Sequence, residues 1–250
     1  MTAVQLALLA LAGLGAGLAG SIAGLASLIS YPALLAVGLP PIQANVTNTV
    51  SLVFSGVGSA LGSRPELVGQ GGRVARLGAV AVAGGAVGGG LLLLTPSDTF
   101  ERIVPVLIGF AALVILVQPR PTFLRQLHHG GDAPALFGGV FLVAVYGGYF
   151  GAAAGVLLFA LLLAASGESF ARSNALKNVV LALANGVAAL GFVVLSDVEW
   201  AAVAPLAAGF LVGGRLGPVV VRHAPAGTLR WLVGVAGVGL AVYLALDAYR

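Results

Sequence analysis

Two polar clusters interrupt a chain that otherwise avoids water. The first, QANVTNTVSLV at 43–53, places Gln43, Asn45, Thr47, Asn48, Thr49 and Ser51 at the head of an apolar run, and nothing charged lies between Met1 and Ser63. The second, ARSNALKNVV at 171–180, places Asn174, Lys177 and Asn178 at the head of another. Amides, hydroxyls and one ammonium at a helix start are groups that can receive a small anion. Unpaired backbone N–H groups and the positive end of the helix dipole add to them. Pro40 and Pro41 suit such a start, so Asn45, Thr47 and Asn48 fall in the first turns of one helix, with Asn174, Lys177 and Asn178 in those of its counterpart. These are the candidate substrate-binding residues. The neutral ones have a packing alternative, because Asn, Thr and Ser cap helices and bond between helices in membranes. Lys177 is sharper: an ionisable group within a span costs about 2.5–3.5 kcal/mol at its centre and points to function. One or two turns inside, however, a lysine can also snorkel to the interface. Asn185 is either a second polar contact or interhelical glue.

Other chemistries lack their parts. The chain has no cysteine, which excludes disulfides, thiolate metal sites and cysteine nucleophiles. His128 and His129 stand beside glycines in a connecting loop, and no His-Glu cluster has ligand spacing. The serines of FSGVGSALGS have no histidine within any predicted span to serve as a base. A Walker-type glycine loop is also missing. No catalytic residue, metal site or cofactor is expected, and any transport would run on a gradient or a partner.

The elements that must position the two clusters are membrane helices. With 250 residues, 59% hydrophobic, 8% charged and a mean hydropathy of +1.07, the chain falls far from soluble domains, where about a quarter of residues are charged. Several uncharged windows exceed the roughly 18 apolar residues of a spanning helix, and the short alternating segments of a β-barrel are absent. The opening MTAVQLALLALAGLGAGLAG lacks the basic region of a signal peptide and reads as retained structure. The formal charge of +4 resides in short loops without a basic aromatic patch, so no nucleic-acid partner is expected.

Apolar segments run roughly over 3–39, 42–62, 74–94 and 100–117, then restart over 133–166, 173–195, 198–220 and 229–246. The restart is a repeat. DTFERIVPVLIGFAALVIL aligns with GTLRWLVGVAGVGLAVYLAL, and AGGAVGG (83–89) with AGFLVGG (208–214). We read 1–117 and 133–250 as two repeats joined by a cytoplasmic loop, 118–132. The first segment of each is too long, since about 35 helical residues span about 50 Å against a hydrocarbon core of about 30 Å. Gly13, Gly15, Gly17, Gly20 and Gly24, then Ser27, Ser30 and Pro32, offer break points in one; Gly147, Gly148, Gly151 and Gly155 do so in the other. The pairs Gly20/Gly24 and Gly151/Gly155 also permit close helix approach.

Charge sets orientation. The loop at 63–76 carries Arg64, Arg73 and Arg76, whereas its counterpart SDVEW (196–200) carries Asp197 and Glu199; SDTFER (97–102) is net acidic while its counterpart region holds Arg215, Arg222 and Arg230. By the positive-inside rule, equivalent loops face opposite sides. Inversion requires an odd number of crossings per half, so each glycine-rich first segment is expected to be a broken or re-entrant hairpin followed by three transmembrane helices. Both termini then lie outside, with Arg120 and Arg125 inside. Eight simple spans would make the repeats parallel and leave the charge reversal unexplained.

At these residues the chain resembles the sulfite exporter TauE/SafE family, over nearly its whole length. The resemblance rests on the glycine-rich first segment leading to SYPALLAVGLPPIQANVTNTV and, in the second copy, on NALKNVVLALANGVAALGF, DVEW, GGRLG and TLRW. GLASLIS and GAAAG stand where the family often carries consecutive glycines. The resemblance implies a cell-membrane secondary transporter that exports a small anionic substrate, a sulfur oxyanion such as sulfite or an organosulfonate. It also implies protons as coupling ion, the lipid bilayer as surroundings and room for a homo-oligomer. Asn45, Thr47 and Asn48 match its first polar motif, and Asn174, Lys177 and Asn178 its second. The alternative is a non-transporting membrane scaffold or assembly subunit. A cation carrier would need buried carboxylates, and every Asp and Glu falls in a loop or at a span end.

Overall fold

Thr2 opens the first helix with a capping box: its hydroxyl accepts from the Gln5 N–H at 3.3 Å while the Gln5 side chain accepts from the Thr2 N–H at 2.8 Å. The computed structural model describes residues 1–117, 134–166 and 168–223. The 118–132 loop, with Arg120, Arg125, His128 and His129, and the 229–246 segment lie outside the described residues, as do Arg230 and the side chain of Arg222. Helix α1 (Ala3–Ala23) stops at Gly24, whose φ of 80° is left-handed and suits glycine. Helix α2 (Ser27–Ala36) follows, then α3 (Pro41–Gly62), the single turn α4 (Arg64–Leu67), α5 (Gly71–Leu93) and α6 (Ser97–Val117). The chain resumes with α7 (Pro134–Tyr149), breaks at Gly151 (φ 76°) and Ala153 (φ 59°), and continues as α8 (Ala154–Ser166), α9 (Phe170–Leu195) and α10 (Trp200–His223). Both overlong first segments are thus broken helices.

The protein is all-helical among the described residues. Four helices, Ala3–Ala23, Gly71–Leu93, Phe170–Leu195 and Trp200–Val221, are long and apolar enough to cross a bilayer. Exposed side chains such as Val4, Leu8 and Leu11 on α1 and Leu190 and Val194 on α9 offer apolar surface to lipid.

Glycines seat these helices against each other in register. Gly13 meets Leu206, Gly17 meets Phe210 and Gly214, and Gly217 meets Ser21, so α1 and α10 run parallel. Gly84 meets Ala144 and Gly88 meets Val145 and Tyr149, so α5 and α7 run parallel as well. The glycines that recur in the two aligned motifs do the same work: Gly84 and Gly88 seat α7, while Gly209 and Gly213 seat α1. Further along, Gly58 and Gly62 follow Leu211 and Arg215 of α10, and Gly85 and Gly89 follow Ala184 and Ala188 of α9. Helices α1, α3 and α10 therefore share one direction, and α5, α7 and α9 share one.

The end of α2 comes back to the start of α1, where Gln5 Nε2 donates to Val37 O at 3.4 Å. Close seating needs bare glycine. A Cβ on Gly88 would overlap Val145 O and lie 2.9 Å from Tyr149 N. Gly88→Val is expected to destabilise the fold by about 1–3 kcal/mol, read as a lower melting temperature in detergent. Unchanged melting would mean that α5 and α7 separate at no cost.

Candidate functional site

Asn45, Thr47, Asn48, Asn174, Lys177 and Asn178, at the starts of α3 and α9, are all buried, and all but Thr47 donate to a specific acceptor. Asn45 Nδ2 donates to Tyr149 O, the last carbonyl of α7, at 2.9 Å. Asn174, at the matching place on α9, donates to Ser21 O near the end of α1 at 2.8 Å. Asn178 Nδ2 reaches the same oxygen at 3.1 Å, and Lys177 Nζ lies 3.2 Å from Gly20 O and 3.4 Å from Ser21 O. The last carbonyls of a helix have no intrahelical partner and form its negative end. Three side chains of α9 therefore cap α1, and one amide of α3 caps α7.

Lys177 is fully buried, with its ammonium also 5.7 Å from the centre of the Phe159 ring. It faces α1 and α8 within the protein, so snorkelling to the interface is not what this lysine does. Thr47 Oγ1 accepts from the Glu199 N–H at 3.0 Å and ties α3 to the loop before α10. Asn48 turns towards its own half, donating to Ser27 Oγ at 3.2 Å and accepting from Ser30 Oγ at 2.6 Å.

A cleft opens where the two broken segments meet. It is lined by Gly20, Ser21, Gly24, Ala26 and Ser27 from the first break, Gly151, Ala154 and Gly155 from the second, and one face each of α3 and α9. The space open to the centres of water molecules is about 60 Å³, several times what one water needs. On α3 the facing residues are Leu52, Ser55, Gly56 and Ser59; on α9 they are Asn178, Leu181, Ala182 and Asn185. Both sets follow the spacing of a single helix face. Of the residues singled out at the two helix starts, Asn178 lines the cleft, whereas Asn45, Thr47, Asn48, Asn174 and Lys177 do not.

Electrostatically the cleft is one-sided. The N-terminal ends of α2 (Ala26, Ser27) and α8 (Ala154, Gly155) line it, and α2 has no side-chain cap. These are positive ends; the N–H groups of Leu28, Ile29, Ala154 and Val156 are taken by nearby carbonyls, which leaves those of Ser27 and Gly155. The negative end of α1 also borders the cleft, through Gly20 and Ser21, but there Lys177 and two amides cover the carbonyls. The arrangement favours an anion and offers it hydroxyl and amide donors without a direct ion pair. Ser55 and Ser59 received no ligand role from the sequence, although their spacing with Leu52, and that of Asn178 with Asn185, carried the signal.

The sequence profile of the family described as "Sulfite exporter TauE/SafE" matches residues 9–244. Among curated proteins, the chain is 26% identical over 236 residues to the probable membrane transporter protein YfcA of Escherichia coli (strain K12), covering 94% of this chain and 87% of that one. It is 28% identical over 246 residues to the probable membrane transporter protein ORF9 of Sinorhizobium sp, covering 97% and 93%. No solved structure matches it significantly.

Proposed function

This chain belongs to the sulfite exporter TauE/SafE family and is a multi-pass membrane transporter, and from that premise we propose that it exports small sulfur-containing anions by alternating access. The substrate class is sulfite or an organosulfonate, moved across the cytoplasmic membrane with the proton gradient as drive. The observation that carries the reading is the cleft between the two breaks. Two helix N-termini and neutral donors face it, and the buried Lys177 covers the C-terminal carbonyls of α1 beside it. An anion held by dipoles and hydroxyls can be released to either side more readily than one held by a direct ion pair.

Alternating access needs two bodies that rock about a central site. We take these to be the halves 1–117 and 133–250, in opposite orientation. Support comes from the matched packing, α1 on α10 and α7 on α5, and from the parallel sets α1, α3, α10 and α5, α7, α9. The short connections 63–70 and 196–199 suit chain reversals between the two sets. On this reading each long first segment enters and returns, both termini lie outside, and the 118–132 loop is cytoplasmic. Asn178 touches the anion, Asn45, Asn48, Asn174 and Lys177 hold the hairpins that form its site, and Thr47 holds the loop before α10.

The test is efflux of labelled sulfite from proteoliposomes under an imposed proton gradient, with sulfate, taurine and sulfoacetate as competing anions. Saturable sulfite efflux that responds to the gradient is expected. A folded protein that moves none of these anions would return the chain to a scaffolding role.

A further inference from the structure

The cleft holds four serines, and their hydrogen bonds separate them. Ser21 Oγ donates to Gly17 O at 2.7 Å, and Ser59 Oγ lies 3.3 Å from Gly214 O, so both hydroxyl protons are engaged with backbone. Ser27 is different: its oxygen accepts from Asn48 Nδ2 at 3.2 Å. The orientation of that amide follows from its other end: Ser30 Oγ lies 2.6 Å from Asn48 Oδ1 and 3.0 Å from Ala26 O, and its one proton goes to the nearer acceptor. Such a distance belongs to O–H···O pairs and is too short for N–H···O. Asn48 therefore presents nitrogen to Ser27, and an oxygen that accepts there keeps its own proton for another partner. Ser27 is 5% exposed and lines the cleft at the uncapped start of α2. Two turns of α3 beyond Asn48, Ser55 is 7% exposed, lines the same space, and has no hydrogen bond from its hydroxyl among the described residues.

We infer that the Ser27 hydroxyl is a substrate-contacting donor whose direction is set by Asn48, and that the cleft takes a small oxyanion presenting only acceptors at this wall. This deepens the anion-transport reading and rests on it. Asn48 is then a positioning residue. Fully deprotonated oxyanions fit a wall of donors; a ligand that brings an N–H or O–H to Ser27 meets a proton already pointed at it. Ser55 supplies a second hydroxyl, and the start of α2 adds the Ser27 N–H, those of Leu28 and Ile29 being taken by Leu25 O and Ala26 O.

Labelled-sulfite counterflow in proteoliposomes tests this, comparing wild type, Ser27→Ala, Ser27→Thr, Asn48→Leu and the Ser27→Ala/Asn48→Leu double variant at equal folded protein. Sulfite-dependent thermal stabilisation in detergent gives a second readout. Loss of one donor to an anion is expected to raise the half-saturation concentration about tenfold in Ser27→Ala while the maximal rate is largely kept. Ser27→Thr restores it. Asn48→Leu weakens binding in the wild-type background but adds little to Ser27→Ala, the signature of two residues acting through one contact. Wild-type affinity in Ser27→Ala overturns the proposal and leaves the transporter reading intact, as does an Asn48→Leu effect of equal size in both backgrounds. Absence of wild-type counterflow defeats the transporter reading instead. Sulfite stabilisation still decides Ser27 in that case, and equal stabilisation of wild type and Ser27→Ala overturns its role.

Discussion

Lys177→Met, compared with wild type at matched folded protein, is expected to lose at least about thirtyfold in sulfite flux at subsaturating concentration. The ammonium stands one carbonyl behind the cleft wall, on Gly20 O and Ser21 O. A unit charge one residue behind a bound anion contributes on the order of 2 kcal/mol at an effective dielectric constant near 20. Methionine keeps the length and the apolar stem. Ser21 O retains Asn174 and Asn178, and Gly20 O retains the Gly24 N–H at 2.7 Å. The end of α1 thus stays hydrogen-bonded while its negative charge is no longer offset. The loss should appear as weaker apparent affinity. If flux and affinity survive in a protein that melts like wild type, Lys177 is a cap for α1 and contributes nothing to the anion's field.

Gly155→Val is the second substitution expected to be severe. Gly24 and Gly155 touch backbone to backbone where the two broken segments meet, and a Cβ on either would overlap the other. No flexible side chain is present to yield, so the breaks must part. Because Ala26, Ser27, Ala154 and Gly155 line one cleft from opposite sides, parting them separates the donors that must act together. Flux is expected to fall below detection, with a fall in melting temperature of several degrees for about 1–3 kcal/mol of overpacking. Retained transport would show that the breaks are not required to meet. Gly24→Ala adds a left-handed backbone to the same overlap and should be the less stable protein of the two.

The broken segments are legible in the sequence because length is an absolute constraint: a helix much longer than the bilayer must do something. The break sites are legible too, among the glycines, although only Gly24 and Gly151 take the left-handed turn while Gly13 and Gly17 serve as seats for α10. The helix start at Pro41 is likewise visible, and that of α9 comes a turn earlier than the apolar run at 173, at Phe170 behind the Ser169 cap; the amides and lysine of both starts are buried. What local pattern does not carry is the acceptor that each donor finds. Asn45 and Asn174 bond to the far ends of α7 and α1, 104 and 153 residues away, and no spacing rule encodes such partners. The positive ends beside the cleft are therefore those of the short helices α2 and α8, while the starts of α3 and α9 are occupied in holding the hairpins. Ser55, Ser59 and Asn185 carried a signal of the right period, but small polar residues in an apolar helix look alike whether they face a cleft or a neighbouring helix.

The pairing of α1 with α10 also bears on how the molecule is made. Gly13 leaves the ribosome 206 − 13 = 193 residues ahead of its seat at Leu206. At about 5–20 residues per second, roughly ten to forty seconds separate their appearance. Through that interval the glycine groove of α1 lacks the helix that fills it, and Ser21 O awaits the amides of Asn174 and Asn178. The first half cannot mature until the second has been inserted, so a nascent chain that stalls between them would present an unfinished surface to the quality-control machinery of the membrane.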